Sequence, residues 1–333
     1  MRITPFMIFN QLTRSLGRSL QDYATLNEQL ASGKRILAPS DDPNGMRRAL
    51  DYEVRISNNG QYQQNIEFAQ NNLNAANTAM TSYDTYLSMA AKLASPGQNS
   101  DPTTRAANAQ QAANLRNMFL DLGNTKIGDQ YLFAGFNSGT QPYDAGTYAY
   151  LGDNGVVNVQ TGNNATLAAN VTGNNVFSYT LSAATSKQLA SGNIVHYTPG
   201  AGTTVDVEIR DATDTTVLDT FSFSNVIQMT DTLSTAVSNN DTTRLEALAD
   251  TFSQARTQLK SSQIDVGTRL QWLDLQSTGL THNTNTLLSA LSSLEEADMT
   301  TVAAQLKSTE VTLAAVRESA SRVMSMSLFD FLK

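Results

Sequence analysis

Ten apolar or small residues, Tyr62, Ile66, Ala69, Leu73, Ala76, Met80, Tyr83, Leu87, Ala90 and Ala94, recur at alternating spacings of four and three without a break. This is the heptad seam of one long helix. Ser40-Asp41-Asp42-Pro43 opens it, because a short acidic side chain accepts the first free backbone N–H groups and proline is tolerated at the first helical position. Asp42 and Pro43 are therefore the expected cap, and Pro96-Gly97 closes the element. At about 1.5 Å per residue, a helix from Pro43 to Ser95 extends roughly 80 Å, about twice the width of a compact domain. Such a helix must bury its stripe against partners of similar length, so the chain is expected to be extended.

The partners lie at both ends of the chain. Leu12, Leu16, Ser19, Tyr23, Leu26 and Leu30 form an N-terminal seam with one polar defect, ending at Gly33. A helix near Thr103 to Asn124 carries Ala112, Leu115, Phe119 and Leu122 on one stripe. In the C-terminal flank, Leu245, Leu248, Phe252, Ala255 and Leu259 form one seam, and Val266 to Leu294 form another. A final seam comprises Val302, Leu306, Thr309, Leu313, Val316, Ala320 and Val323.

The centre is different. Ten of the 19 glycines lie between Gly135 and Gly202, while Lys187 and Arg210 are the only basic residues from 135 to 225. Val156–Val159, Val176–Leu181, Ile194–Tyr197, Thr204–Ile209 and Val217–Phe223 are rich in β-branched or aromatic residues and are separated by turn clusters, which predicts strands. The fold class expected is mainly α with a β insert. A long antiparallel helical rod and coiled coil is built from both chain ends, and a central all-β domain projects from it.

Composition removes several functions. With no cysteine the chain has no disulfide, thiolate nucleophile or thiolate-held metal, and its two isolated histidines, His196 and His282, make no plausible metal pair. A net charge of −8 argues against nucleic acid as a partner. No stretch reaches the ~18 consecutive apolar residues of a membrane span. The phosphate-loop, dinucleotide, zinc-protease and nucleophile-elbow motifs are missing, so no catalytic, metal or cofactor site is expected. Asp211-Ala212-Thr213-Asp214 reads as a hairpin turn, since it lacks the glycine and terminal glutamate of a calcium loop. Glu295-Glu296-Ala297-Asp298 reads as an acidic break before the last helix. The absence of a secretory signal, together with the absence of cysteine, taken alone indicates the cytoplasm.

The terminal seams are rich in Leu, Ala, Ser and Thr and have few flanking charges to specify an isolated pair. The pattern therefore points to a self-assembling structural protein. Leu12, Leu16, Tyr23, Leu26, Leu30, Val302, Leu306, Leu313, Val316 and Val323 are the candidate subunit-interface residues.

Two motifs carry a resemblance. Leu26-Asn27-Glu28-Gln29-Leu30-Ala31-Ser32-Gly33-Lys34-Arg35-Ile36 followed by Pro39-Ser40-Asp41-Asp42-Pro43, and Leu294-Glu295-Glu296-Ala297-Asp298 near the other end, resemble the terminal regions of the bacterial flagellin family. Met1-Arg2-Ile3-Thr4, Tyr131-Leu132-Phe133-Ala134-Gly135-Phe136 and Ser327-Leu328-Phe329-Asp330-Phe331-Leu332 resemble the branch found where hook meets filament rather than the filament subunit.

The resemblance implies a non-enzymatic ring of copies that is seated on hook-associated protein 1 and offers flagellin-like ends to flagellin. It implies an inner terminal coiled-coil domain (1–35 with 295–333), a helical rod domain (36–134 with 226–294) and a β-rich outer insert (135–225). It also implies export in unfolded form through the flagellar type III apparatus, with a cytosolic chaperone holding Leu306, Leu313, Val316 and Val323 in a helix-in-groove mode. The location expected is then extracellular, with a cytoplasmic stage before export. Flagellin itself is the nearest alternative, and a glycan-binding or enzymatic β domain on a stalk is a remote one.

Overall fold

The computed structural model describes the backbone from Pro5 to Phe331, and the side chains of Met7 and of residues 10–322. Its elements run α1 (Pro5–Ser32), α2 (Pro43–Leu93), α3 (Pro102–Gly123), β1 (Lys126–Ile127), β2 (Gln130–Tyr131), β3 (Asn158–Gly162), β4 (Ala165–Ala168), α4 (Gly173–Phe177), β5 (Thr185–Gln188), β6 (Ile194–Pro199), β7 (Val205–Arg210), β8 (Val217–Phe223), α5 (Val226–Asn239), α6 (Thr242–Glu295) and α7 (Met299–Phe331). The mainly helical fold with a β insert is as the heptads and turn clusters predict. The helices α2 and α6 contain 51 and 54 residues. Two compact units divide the chain, residues 1–60 with 280–333, and residues 61–279.

In the unit 61–279, every member of the α2 seam from Ile66 to Ala94 is buried, and α6 answers with Leu245, Leu248, Phe252, Ala255, Leu259, Val266 and Leu273. Polar bonds fix the antiparallel register of these two helices. Gln63 donates to Ser277 Oγ at 2.7 Å, and Arg256 clasps Asp84 through two contacts of 2.6 and 3.0 Å. That guanidinium holds the Asp84 carboxyl below its usual range.

Helix α5 is an addition to the sequence reading, which starts the C-terminal helices at Leu245. It packs on α3 and buries Val226, Met229, Leu233 and Val237. The four apolar positions carry the helical period, but Val and Ile directly after a strand read equally as its continuation.

A second correction concerns Val176–Leu181, read above as a strand. Gly173–Phe177 is helical and Ser178 onward is extended without a ladder partner. Tertiary packing decides this segment. Phe177 lies 4.7 Å from Tyr83, 5.1 Å from Phe133 and 5.4 Å from Tyr143, ring centre to ring centre, in an aromatic cluster that joins α2 to the insert.

The remaining strands make an antiparallel sheet in the order β5-β6-β7-β8 and a separate β3–β4 hairpin. Val195, Tyr197, Val205, Val207 and Ile209 are buried on one face of the sheet, and the Tyr197 hydroxyl donates to Ala247 O on α6 at 3.3 Å. Arg244 of α6 is paired with Asp219 of β8. The β3–β4 hairpin is pinned by side-chain amides of both long helices. Asn65 donates to Gln160 O at 2.7 Å and Gln276 donates to Thr161 O at 3.1 Å.

Candidate assembly site

In the unit formed by 1–60 and 280–333, the two sequence motifs quoted above meet. Helix α1 ends at Ser32, and Gly33 takes the left-handed conformation (φ 71°), which glycine adopts without strain at a helix C-terminus. Lys34 then pairs with Glu296 in an isolated antiparallel bridge. Ala297 N–H donates to Gly33 O at 2.9 Å, Arg35 N–H donates to Glu295 O, and the Arg35 guanidinium donates to Leu294 O at 2.9 Å. Lys34 Nζ lies 2.6 Å from the buried Glu295 carboxylate, which raises the lysine pKa. The breaks between α1 and α2 and between α6 and α7 are thus tied together. The sequence showed two separate helix boundaries but carried no signal that they are one joint.

Short acidic side chains order the restarts. Asp41 Oδ2 accepts from Leu37 N–H (3.0 Å) and Ala38 N–H (2.8 Å), which lowers its pKa. Asp42 Oδ1 accepts from Gly45 N–H at 2.8 Å and Pro43 is the first helical residue. Gly45 is buried, and a Cβ there would lie 2.5 Å from Asp42 Oδ2 and 2.6 Å from Ile36 Cδ1. Asp298 accepts from the N–H groups of Thr300 and Thr301 and from the Thr301 hydroxyl, which depresses its pKa and starts α7.

From this joint α1 and α7 pack on each other. Val302 and Leu313 are buried, while Leu12, Leu16, Tyr23, Leu26, Leu30, Leu306 and Val316 are only half-buried. The Val323 side chain lies outside the described residues. No described residue of α1 is fully buried, and Leu20 and Val311 stand largely in solvent. These two helices have the stripe of a core without its burial. Further along the same unit, Asn59 of α2 donates to Asn283 Oδ1 and Thr284 Oγ1 of α6 at 2.9 and 3.1 Å, a polar spacer.

Residues 3–138 match the model for the bacterial flagellin N-terminal helical region. Curated relatives are flagellar hook-associated protein 3 of Salmonella typhimurium and of Escherichia coli, each 28% identical over 181 residues. The chain is similar to flagellar hook-associated protein 3. The aligned part covers 53% of this chain and 57% of each relative, so it spans little more than half of their length. The fold agrees. The crystal structure of hook-associated protein 3 from Legionella pneumophila superposes with a TM-score of 0.57 at 18% identity, over 73% of this chain and 98% of that one. A FlgL structure from Xanthomonas campestris gives 0.55 at 18% identity, over 72% and 99%. These findings agree with the flagellin-family resemblance carried by Leu26–Ile36 and Asp41–Pro43.

Elsewhere the polar clusters are structural in geometry. Asp211 Oδ1 accepts from Thr215 N–H (2.9 Å) and Thr216 N–H (3.1 Å), closing the β7–β8 turn and drawing its pKa down to about 2. His196 Nε2 is 2.8 Å from Asp214 Oδ1 within a surface network that includes Arg210 and Glu208. Among the described residues no group of three or more acidic or histidine side chains is placed to hold a metal ion, and no helix is long and apolar enough to cross a membrane.

Proposed function

We propose that this chain is a non-catalytic structural subunit of the bacterial flagellum at the junction between hook and filament. The observation that carries the reading is the half-buried seam of α1 and α7. Apolar burial contributes roughly 25 cal/mol per Å², so side chains that the heptad aligns but one chain leaves wet gain stability when several copies pack laterally. In this reading residues 1–35 with 295–333 line the inside of a ring around the export channel. Residues 36–134 with 226–294 form the rod, and 135–225 faces outward.

Hook-associated protein 1 lies on one side of the ring and flagellin on the other, and copies of the chain are lateral neighbours. Before export the stripe of Leu306, Leu313, Val316 and Val323 is held by a cytosolic chaperone, and the chain passes unfolded through the flagellar type III apparatus. A chain without cysteine has no cross-link to undo on that route.

Immunolabelling of intact flagella tests the proposal. A single band at the distal end of the hook is expected. Label along the whole filament would replace this reading with that of a flagellin, and unlabelled flagella would refute both.

A further inference from the structure

Two apolar features of the unit 61–279 have no partner within the chain. On α6, Ile264 and Leu275 are 70% and 73% exposed. They are eleven residues apart, three helical turns, and face away from the buried Leu259, Val266 and Leu273. With Lys260, Thr268 and Gln271 they form one straight exposed ridge. Elsewhere in the unit, a cleft of about 410 Å³ lies between α2 and the β1–β2 hairpin, walled by Phe68, Ile127, Tyr131 and Phe136 and edged by Asn71 and Gln130. Phe68 and Phe136 are 46% and 66% exposed. Solvent-facing aromatics that converge on a cleft of this size mark an interaction surface.

We propose that the cleft of one copy receives the Ile264–Leu275 ridge of a second copy, an inference that rests on the ring reading above. Shape and charge select this occupant. The two ridge anchors are aliphatic and fit an aromatic-walled slot, and Gln271 between them meets the amides of Asn71 and Gln130. The ridge carries one cation, Lys260, and no acid, whereas the cleft is flanked by the exposed carboxylates of Glu67 and Asp129. The cation nearest the cleft, Lys126, is drawn over the Tyr131 ring at 4.4 Å, which leaves those carboxylates to the incoming lysine. Ridge and cleft are different surfaces, so the contact is heterologous and propagates from copy to copy, as a ring requires.

The absence of cysteine permits a clean test. Full-length chains carrying Gln130→Cys and Gln271→Cys, both exposed positions beside the anchors, are expressed together in cells lacking the native copy, and their isolated flagella are oxidised. Each chain has one thiol, so a bond between positions 130 and 271 forms only between copies. Mixed disulfide dimers are expected about tenfold faster than for Gln130→Cys with Val217→Cys, the rate ratio that a held geometry gives over chance encounter. Adding Leu275→Asp to the Gln271→Cys chain should return the rate to that of the control. Normal localisation at the hook tip with cross-linking no faster than the control overturns the surface and leaves the junction reading intact. If the chains do not reach the flagellum, the junction reading fails, and the same pair oxidised as purified concentrated protein decides the surface alone: rapid mixed dimers support it and control-rate dimers overturn it.

Discussion

At the scale of single residues, the α2 seam separates positions that share a chemistry but not an environment. Leu73 is completely buried against the helices around it, whereas Leu50 on the same helix is 53% exposed. Leu73→Ala should destabilise the chain by about 2–5 kcal/mol, transfer plus cavity, and Leu50→Ala by no more than about 0.5 kcal/mol in the isolated chain. Urea unfolding followed by circular dichroism measures both, and equal losses would contradict the assignment of the seam.

Gly45 makes a different argument, because the obstacle to a side chain there is the Asp42 cap and Ile36 rather than backbone strain. Gly45→Ala should disturb the start of α2, seen as faster amide exchange over residues 43–47 while the sheet stays protected. Unchanged exchange would mean that the joint yields without loss.

The acid side of the stability profile also follows from residues. Asp41, Asp101, Asp144, Asp211 and Asp298 all accept backbone N–H bonds and have pKa values below the ordinary range. A group depressed on folding stabilises the native state above its unfolded pKa, about 3.9 for aspartate, and loses that contribution as pH falls through its folded pKa. For Asp211 this window ends at about 2. The melting temperature should therefore change little from these groups between pH 7 and 5 and decline below about pH 4. A profile that stays flat to pH 2.5 would show that these caps are not titrating with folding.

At the scale of elements, legibility in the sequence followed the length of the pattern. The run from Ile66 to Ala94 repeats often enough that no strand or loop competes with it, and all nine of its seam residues are buried. Short segments were settled by partners the sequence does not reveal. Val176–Leu181 has strand-like residues, but the ring of Phe177 is caught among Tyr83, Phe133 and Tyr143, and the backbone turns into α4 to place it there. The Asp and Asn caps were legible as caps, whereas the clasp of Lys34 on Glu295 joins residues far apart in sequence and has no local signature.

The final helix offers the sharpest test at this scale. Leu306, Leu313 and Val316 belong to the stripe that α7 turns toward α1, and the β insert lies in the other compact unit. Replacing all three by aspartate should abolish assembly, because three carboxylates would have to be desolvated in the apolar seam, while the sheet β5–β8 keeps its protection from amide exchange. Normal filament attachment by that variant would exclude the seam as an assembly surface.

At the scale of the whole molecule, the two units differ in how much of their structure one chain can hold. The unit 61–279 buries aromatic and aliphatic side chains from four helices and a sheet. In the other unit, the paired α1 and α7 bury only Val302 and Leu313 among their described residues. Isolated helices gain little from backbone hydrogen bonds alone and depend on tertiary packing, so this end should open locally at a small cost compared with global unfolding. The free subunit is accordingly expected to lose both terminal helices to a low dose of protease and to leave a resistant fragment centred on 61–279. In assembled flagella the same sites should be protected, since lateral copies would cover the seam and each opening would have to break intersubunit contacts. Mass spectrometry of the fragments released from free and assembled protein compares the two states directly. Equal protection would mean that assembly adds no order to the termini, and the half-buried seam could then no longer be read as an interface awaiting its neighbours.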